Sequence, residues 1–141
     1  MATDTRPTTA GRRTPTTMRV LVAFEDFRSV YSRTIARAIR ELRPGLEVRL
    51  SGLGDLEQEL EGFDPHVVVC SQPNGAHPTG ARGAWVHIPT EDGLEDDEER
   101  LARICLDGER WRTDGPPLSE LLEVLDETQR RLREGELSEA C

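Results

Sequence analysis

The sequence predicts a single α/β domain of three layers: a mainly parallel five-stranded sheet in the order 2-1-3-4-5, with helices on both faces. Three observations carry this. The run 67–70 (Val-Val-Val-Cys) is wholly apolar, and 18–24 (Met-Arg-Val-Leu-Val-Ala-Phe) is interrupted by Arg19 alone. Strands without a polar face must be covered on both sides, as central parallel strands are. Residues 46–50 (Leu-Glu-Val-Arg-Leu) alternate apolar and charged, which leaves one face wet and places this second strand at an edge. Finally, helical periodicity separates the strands, and a β-α-β-α-β start with right-handed crossovers gives a parallel sheet.

Taken in order, residues 1–17 hold Thr, Pro, Gly and Arg with almost nothing apolar. They cannot bury enough surface to offset the entropy of ordering and are expected to be a disordered tail, upstream of a second candidate start at Met18. The first strand, 18–24, ends on Glu25 and Asp26. A helix follows at 29–43, where Val30, Ile35, Ala38, Ile39 and Leu42 recur at helical spacing and Arg33, Arg37 and Arg40 take other faces. Pro44-Gly45 ends it, Pro by lacking a donor and Gly by tolerating a left-handed cap. After the edge strand, Leu53, Leu56, Leu60 and Phe63 mark a short helix with Asp55 as its N-cap.

The third strand opens into a loop, 71–83, with three glycines and two prolines. Residues 84–88 (Ala-Trp-Val-His-Ile) form the fourth strand and 102–106 the fifth. Between them, residues 91–99 carry seven acids, expected as a solvated stretch or as a docking site for a basic partner. Asp107-Gly108 is a two-residue turn signal leading into 109–112. The last helix, 118–133, follows Pro116-Pro117. Leu118, Leu121, Leu122, Leu125 and Leu132 make its stripe, and Arg130, Arg131 and Arg133 complement the dipole in its last turn. Residues 134–141 are expected to fray.

Composition bounds function. With 141 residues, one domain burying roughly two thirds of its unfolded surface holds together without metal or disulfide. Cys70, Cys105 and Cys141 form no CxxC pair and no secretory leader is recognisable, so three free thiols in a cytoplasmic protein are expected. No apolar stretch approaches the roughly 18 residues of a membrane span. A net charge of −9 argues against nucleic acid, which needs clustered cations. All 18 basic residues are arginine. A Schiff-base lysine, a Walker lysine and a lysine phosphate ligand are therefore impossible.

The order 2-1-3-4-5 is the flavodoxin-like order, and over residues 18–133 the chain resembles the receiver domain of two-component response regulators. Val20-Leu21-Val22-Ala23-Phe24-Glu25-Asp26 is similar to that family's first strand and acidic pair. Pro65-His66-Val67-Val68-Val69-Cys70-Ser71 resembles the run ending in its phospho-accepting aspartate. Gly115-Pro116 before a helix with Leu121-Leu122 resembles its Lys-Pro turn into the final helix. The departures bear on function. Ser71 stands where the aspartate belongs, the lysine is lost, and the acidic stretch takes the place of the fourth helix. An acyl phosphate forms on a carboxylate, and a serine hydroxyl needs a paired base instead. The resemblance thus implies a non-enzymatic signalling and protein-binding module, a pseudo-receiver without phosphotransfer, catalytic residues or cofactor. Its expected partner is another protein or a second copy of itself.

An alternative reading is a small flavodoxin-like ligand-binding domain or enzyme. It would use the 71–83 loop, with Ser71, Asn74, His77 and Thr90 as candidate ligand contacts, together with Glu25 and Asp26. Glu25 and Asp26 could hold Mg²⁺, although two carboxylates bind hard cations weakly, and acids before a helix are also favoured by its dipole. Cys70 is expected as a small buried hydrophobe. Cys70, His77 and His87 match no compact zinc spacing. His66 and His87 are expected as satisfied strand residues. Trp85 and Trp111 are expected in packing, with Trp111 the candidate interface anchor.

Overall fold

The structure, a computed structural model, is described for residues 17–25, 30–71, 83–88, 102–113 and 118–137. Among these the strands are β1 (Arg19–Phe24), β2 (Glu47–Gly52), β3 (Val67–Cys70), β4 (Ala84–His87), β5 (Ala102–Leu106) and β6 (Glu109–Thr113). The α-helices are α1 (Val30–Leu42), α2 (Leu56–Gly62) and α3 (Leu118–Glu134). A 3-10 turn at Leu53–Asp55 leads into α2. Asp55 holds the N-cap position of α2 as expected, but its side chain makes no capping hydrogen bond.

The strands form one sheet in the order β2-β1-β3-β4-β5-β6. β1 pairs in parallel with β2 and β3, and β3 in parallel with β4. Both apolar runs therefore lie inside the sheet, and β2 is an edge. The alternation of β2 is used as its pattern implies: Val48 and Leu50 pack towards the core. Arg49 turns to the other side, where it pairs with Glu59 at 3.0 Å and lies over the Phe63 ring.

The expected five-stranded, mainly parallel sheet is corrected on its far side. Among the described residues there are six strands, and β5 runs antiparallel to β4, with β6 antiparallel to β5. Two physical reasons account for it. A parallel β4–β5 step needs a crossover that packs on the sheet, and the segment 89–101 (Pro-Thr-Glu-Asp-Gly-Leu-Glu-Asp-Asp-Glu-Glu-Arg-Leu) has almost no apolar face to pack. The turn after β5 also has positive φ at both Asp107 (49°) and Gly108 (89°), the conformation whose twist matches a two-residue hairpin. Five residue pairs then form, from Leu106↔Glu109 to Ala102↔Thr113.

Helices cover both faces. On one side α1 and α3 bury Ala36, Ile39, Leu121, Val124 and Leu125 against Val20, Val22, Val67, Val69, Val86 and Ile104. Arg43 and Asp126 tie these two helices by a two-pronged ion pair at 2.7 and 2.8 Å. On the other side α2 brings Leu56 and Leu60, with Phe63 after it, against Leu21, Ala23, Val68, Cys70, Trp85 and Cys105. α3 closes on Gly135, whose φ is +70°. The Glu136 N–H donates to the Arg131 carbonyl and the Gly135 N–H to that of Leu132, which is a Schellman cap.

Cys70 is buried and outside any disulfide, as expected of a small hydrophobe. Cys105 is disulfide-bonded, so the expectation of three free thiols fails there. No helix among the described residues is long and apolar enough to cross a membrane. The tail 1–16, the acidic stretch and most of the 71–83 loop lie outside the described residues.

Candidate functional site

The parallel strands β1, β3 and β4 end side by side, with Ala23 level with Cys70 and Cys70 level with His87. The Ser71 N–H donates to the Ala23 carbonyl at 3.3 Å, and the Ile88 N–H to the Cys70 carbonyl at 2.8 Å. β1 connects onward to β2 on one side and β3 to β4 on the other, so their carboxyl ends flank the switch point where α/β sheets hold ligands. Glu25 stands exposed at the end of β1 and Ser71 half-buried at the end of β3. The fold thus brings these two expected residues to one edge. Asp26, Asn74, His77 and Thr90 lie outside the described residues. No group of three His, Cys, Asp or Glu side chains able to hold a metal ion occurs among the described residues.

Two side-chain atoms at this edge, Ser71 Oγ and His87 Nδ1, are buried without a hydrogen-bond partner. Buried polar atoms are rarely left so. Because both are unpartnered, they are not bonded to each other, and no Ser-His nucleophile pair is formed. His66 behaves as expected: its Nδ1 accepts the Arg19 N–H at 3.0 Å. His87 does not. Burial pushes its pKa below the ordinary value, the neighbouring Arg103 charge pushes it further, and a contact with the Ser71 main chain offsets this in part. At neutral pH the ring is therefore uncharged and offers one donor and one acceptor.

His87 connects this edge to a cavity that the sequence reading missed. Pairing puts His87 level with Arg103 and Arg103 level with Arg112, while Trp85, Cys105 and Arg110 make the next row. Side chains alternate along a strand. Trp85 and Cys105 lie on the α2 side of the sheet, so His87, Arg103, Arg110 and Arg112 share that side. They line an open cavity of about 340 Å³ together with Trp85, Ile104, Cys105 and Trp111. Arg103 and Arg110 have no ion-pair partner among the described residues, whereas Arg112 is engaged. The signal was present in the sequence: folding the chain about Asp107-Gly108 pairs 105 with 110 and 103 with 112.

The opposite side of β6 is different. Trp111 pairs with Ile104 and is 38% exposed, and Leu118 at the start of α3 is 40% exposed. Trp111, Leu106 and Val124 floor a second cavity of about 310 Å³ whose other walls are Glu120, Glu123 and Glu127. Glu120 is held by the Thr113 hydroxyl, which donates to it at 2.8 Å. Glu127 accepts from Arg130 and Arg131 and is held down to about 2 by them. Glu127 is therefore ionised at neutral pH and held in place by its two arginines. Trp85, by contrast, is 1% exposed and belongs to the core. Comparison with protein-family models, with curated proteins and with solved structures finds no match to this chain.

Proposed function

We propose that this protein is a non-enzymatic protein-interaction module, a receiver-like α/β domain in which phosphotransfer chemistry has been replaced by surface recognition. The parallel half, β2-β1-β3-β4, supports the flavodoxin-like part of that reading, since its order and two-sided helix cover are those of the family. The antiparallel β5–β6 hairpin departs from it. Ser71 at the carboxyl end of β3 has neither a carboxylate nor a base bonded to it, and the chain has no lysine to neutralise a phosphoryl group.

One observation carries the interaction reading. Trp111 is a large aromatic left 38% exposed on a terminal strand, over a groove walled by glutamates. An aromatic anchor inside a charged rim is the usual anatomy of a protein interface. The glutamate wall selects a partner that presents an apolar side chain among basic residues, and it speeds encounter with one. The charges on β6 itself (Glu109, Arg110, Arg112) protect the strand edge from strand addition. Recognition therefore runs through side chains.

The test is affinity capture and sedimentation with wild type and Trp111→Ala. A partner, or a second copy, should be held by wild type. It should be lost by the variant with a penalty of about 1–4 kcal/mol, while the circular dichroism spectrum and melting temperature stay nearly unchanged. Association that survives the substitution would refute the assignment.

A further inference from the structure

We infer that the cavity on the α2 side of β4–β6 is a binding site for a small organic phosphate, held by Arg103 and Arg110. Its arginines face the opposite side of the sheet from the glutamate-walled groove, and Trp111 borders both cavities. The hairpin register sets Arg103 directly across from Arg112, with Arg110 on the adjacent diagonal. Like charges facing each other across strands destabilise a sheet. This chain carries nine more acids than bases, yet its hairpin concentrates three arginines on one face. Arg112 is already engaged, and an oxyanion between Arg103 and Arg110 offsets the other two charges.

Diagonal cross-strand neighbours stand about 7–8 Å apart, a gap that two long arginine side chains close around one phosphate. The guanidinium fork matches phosphate oxygens in a bidentate way that a point charge cannot. Arg103 and Arg110 make no ion pair with any described residue. Their donors are therefore not taken up by the described parts of the chain.

The rest of the cavity defines the rest of the ligand. Trp85 supplies an apolar floor with the disulfide-bonded Cys105 beside it, and His87 lines the end near Ser71. An uncharged imidazole there serves a hydroxyl or ring nitrogen rather than a second anion. A volume of about 340 Å³ lies at the small end of ligand sites, which suits a compact planar body and excludes a dinucleotide or a peptide. The chemical class is a monophosphate of nucleoside size.

The experiment is calorimetric titration and thermal melting of the full chain with adenosine monophosphate, inorganic phosphate and adenosine at millimolar concentration. Adenosine monophosphate should bind and raise the melting temperature. Phosphate should do so more weakly and adenosine least. Arg103→Gln/Arg110→Gln should weaken adenosine monophosphate by about tenfold or more, while Arg33→Gln/Arg37→Gln, which removes two exposed arginines on α1, should leave affinity unchanged. Two further substitutions, Arg103→Lys and Arg110→Lys, keep the charge but lose the fork, and they should recover only part of the affinity. The assignment is overturned if adenosine monophosphate neither binds nor stabilises. It is equally overturned if the 103/110 variant binds as wild type does, or if the α1 variant loses as much.

Discussion

Gly83 is a position where one added methyl group meets close neighbours. It sits just before β4, where its N–H and that of Ala84 both donate to the His66 carbonyl, at 2.8 and 2.9 Å. A Cβ added at Gly83 would lie 2.7 Å from Thr128 Cγ2 and 3.1 Å from the His66 carbonyl oxygen. Neither neighbour yields easily. The oxygen is main chain. Thr128 is fully buried in α3, and its hydroxyl donates to the Val124 carbonyl at 2.7 Å. A β-branched side chain in a helix has few other rotamers. Overpacking of this kind costs about 1–3 kcal/mol. Against it stands the roughly 0.4–1 kcal/mol that Gly→Ala removes from the freedom of the unfolded chain.

The net expectation for Gly83→Ala is a loss of about 1–2 kcal/mol, or roughly 4 °C in melting temperature per kcal/mol for a domain of this size. Urea unfolding followed by circular dichroism measures it. Thr128→Ser removes Cγ2 and keeps the hydroxyl bond, so Gly83→Ala made in that background should be nearly neutral, a coupling of about 1 kcal/mol or more. If Gly83→Ala is neutral in wild type, or costs as much in the Thr128→Ser background as with threonine in place, β4 and α3 are not packed as described.

Three other outcomes are expected. His87 has a depressed pKa, so its contribution to stability is intact above its ordinary value of 6.5 and is lost as pH falls from there towards the lower folded value. Melting temperature should drop as pH falls below about 6.5, and His87→Gln should flatten that drop; an unchanged slope would remove His87 as its source. Incubation with Mg²⁺ and acetyl phosphate should add no phosphate to Ser71 by mass spectrometry, and a stoichiometric adduct would end the pseudo-receiver reading. Deleting residues 2–17 should leave the melting temperature within a few degrees, because the tail has almost nothing apolar to bury; a larger fall would mean that it packs on the domain.

What was legible in the sequence was whatever a strand or helix declares by its own pattern. Val67–Cys70 declared a central strand, the alternation of β2 an edge, and Asp107-Gly108 the hairpin. The direction of β5 was not declared, because Ala102–Leu106 reads the same either way. It depends on whether the preceding segment can pack as a crossover. The missing partner of His87 Nδ1 was equally hidden: Trp-Val-His-Ile says that the ring is on a buried strand, not what stands beside it. The arginine cavity needed the register of β5 on β6 before Arg103, Arg110 and Arg112 became neighbours, and β4 beside them before His87 and Trp85 joined. Trp111 could be placed on its strand, but its exposure depended on where α3 landed.

The same hairpin that breaks the parallel pattern produces both candidate surfaces. Along β6 the residues Glu109, Arg110, Trp111, Arg112 and Thr113 alternate. Arg110 and Arg112 go to the α2 side, and Trp111 goes to the side where α3 presents its glutamates. The separation of charges follows from period two alone. It also explains why the turn must be so specific. A slip of one residue in the β5–β6 pairing would send Trp111 to the arginine side and the arginines towards Glu120, Glu123 and Glu127. A two-residue turn with positive φ at both Asp107 and Gly108 admits one register. β6 runs in the same direction as β4, since each is antiparallel to β5, so the last helix still starts from the carboxyl edge. The hairpin therefore adds two strands and two chemically opposite faces without disturbing the helix that closes the core.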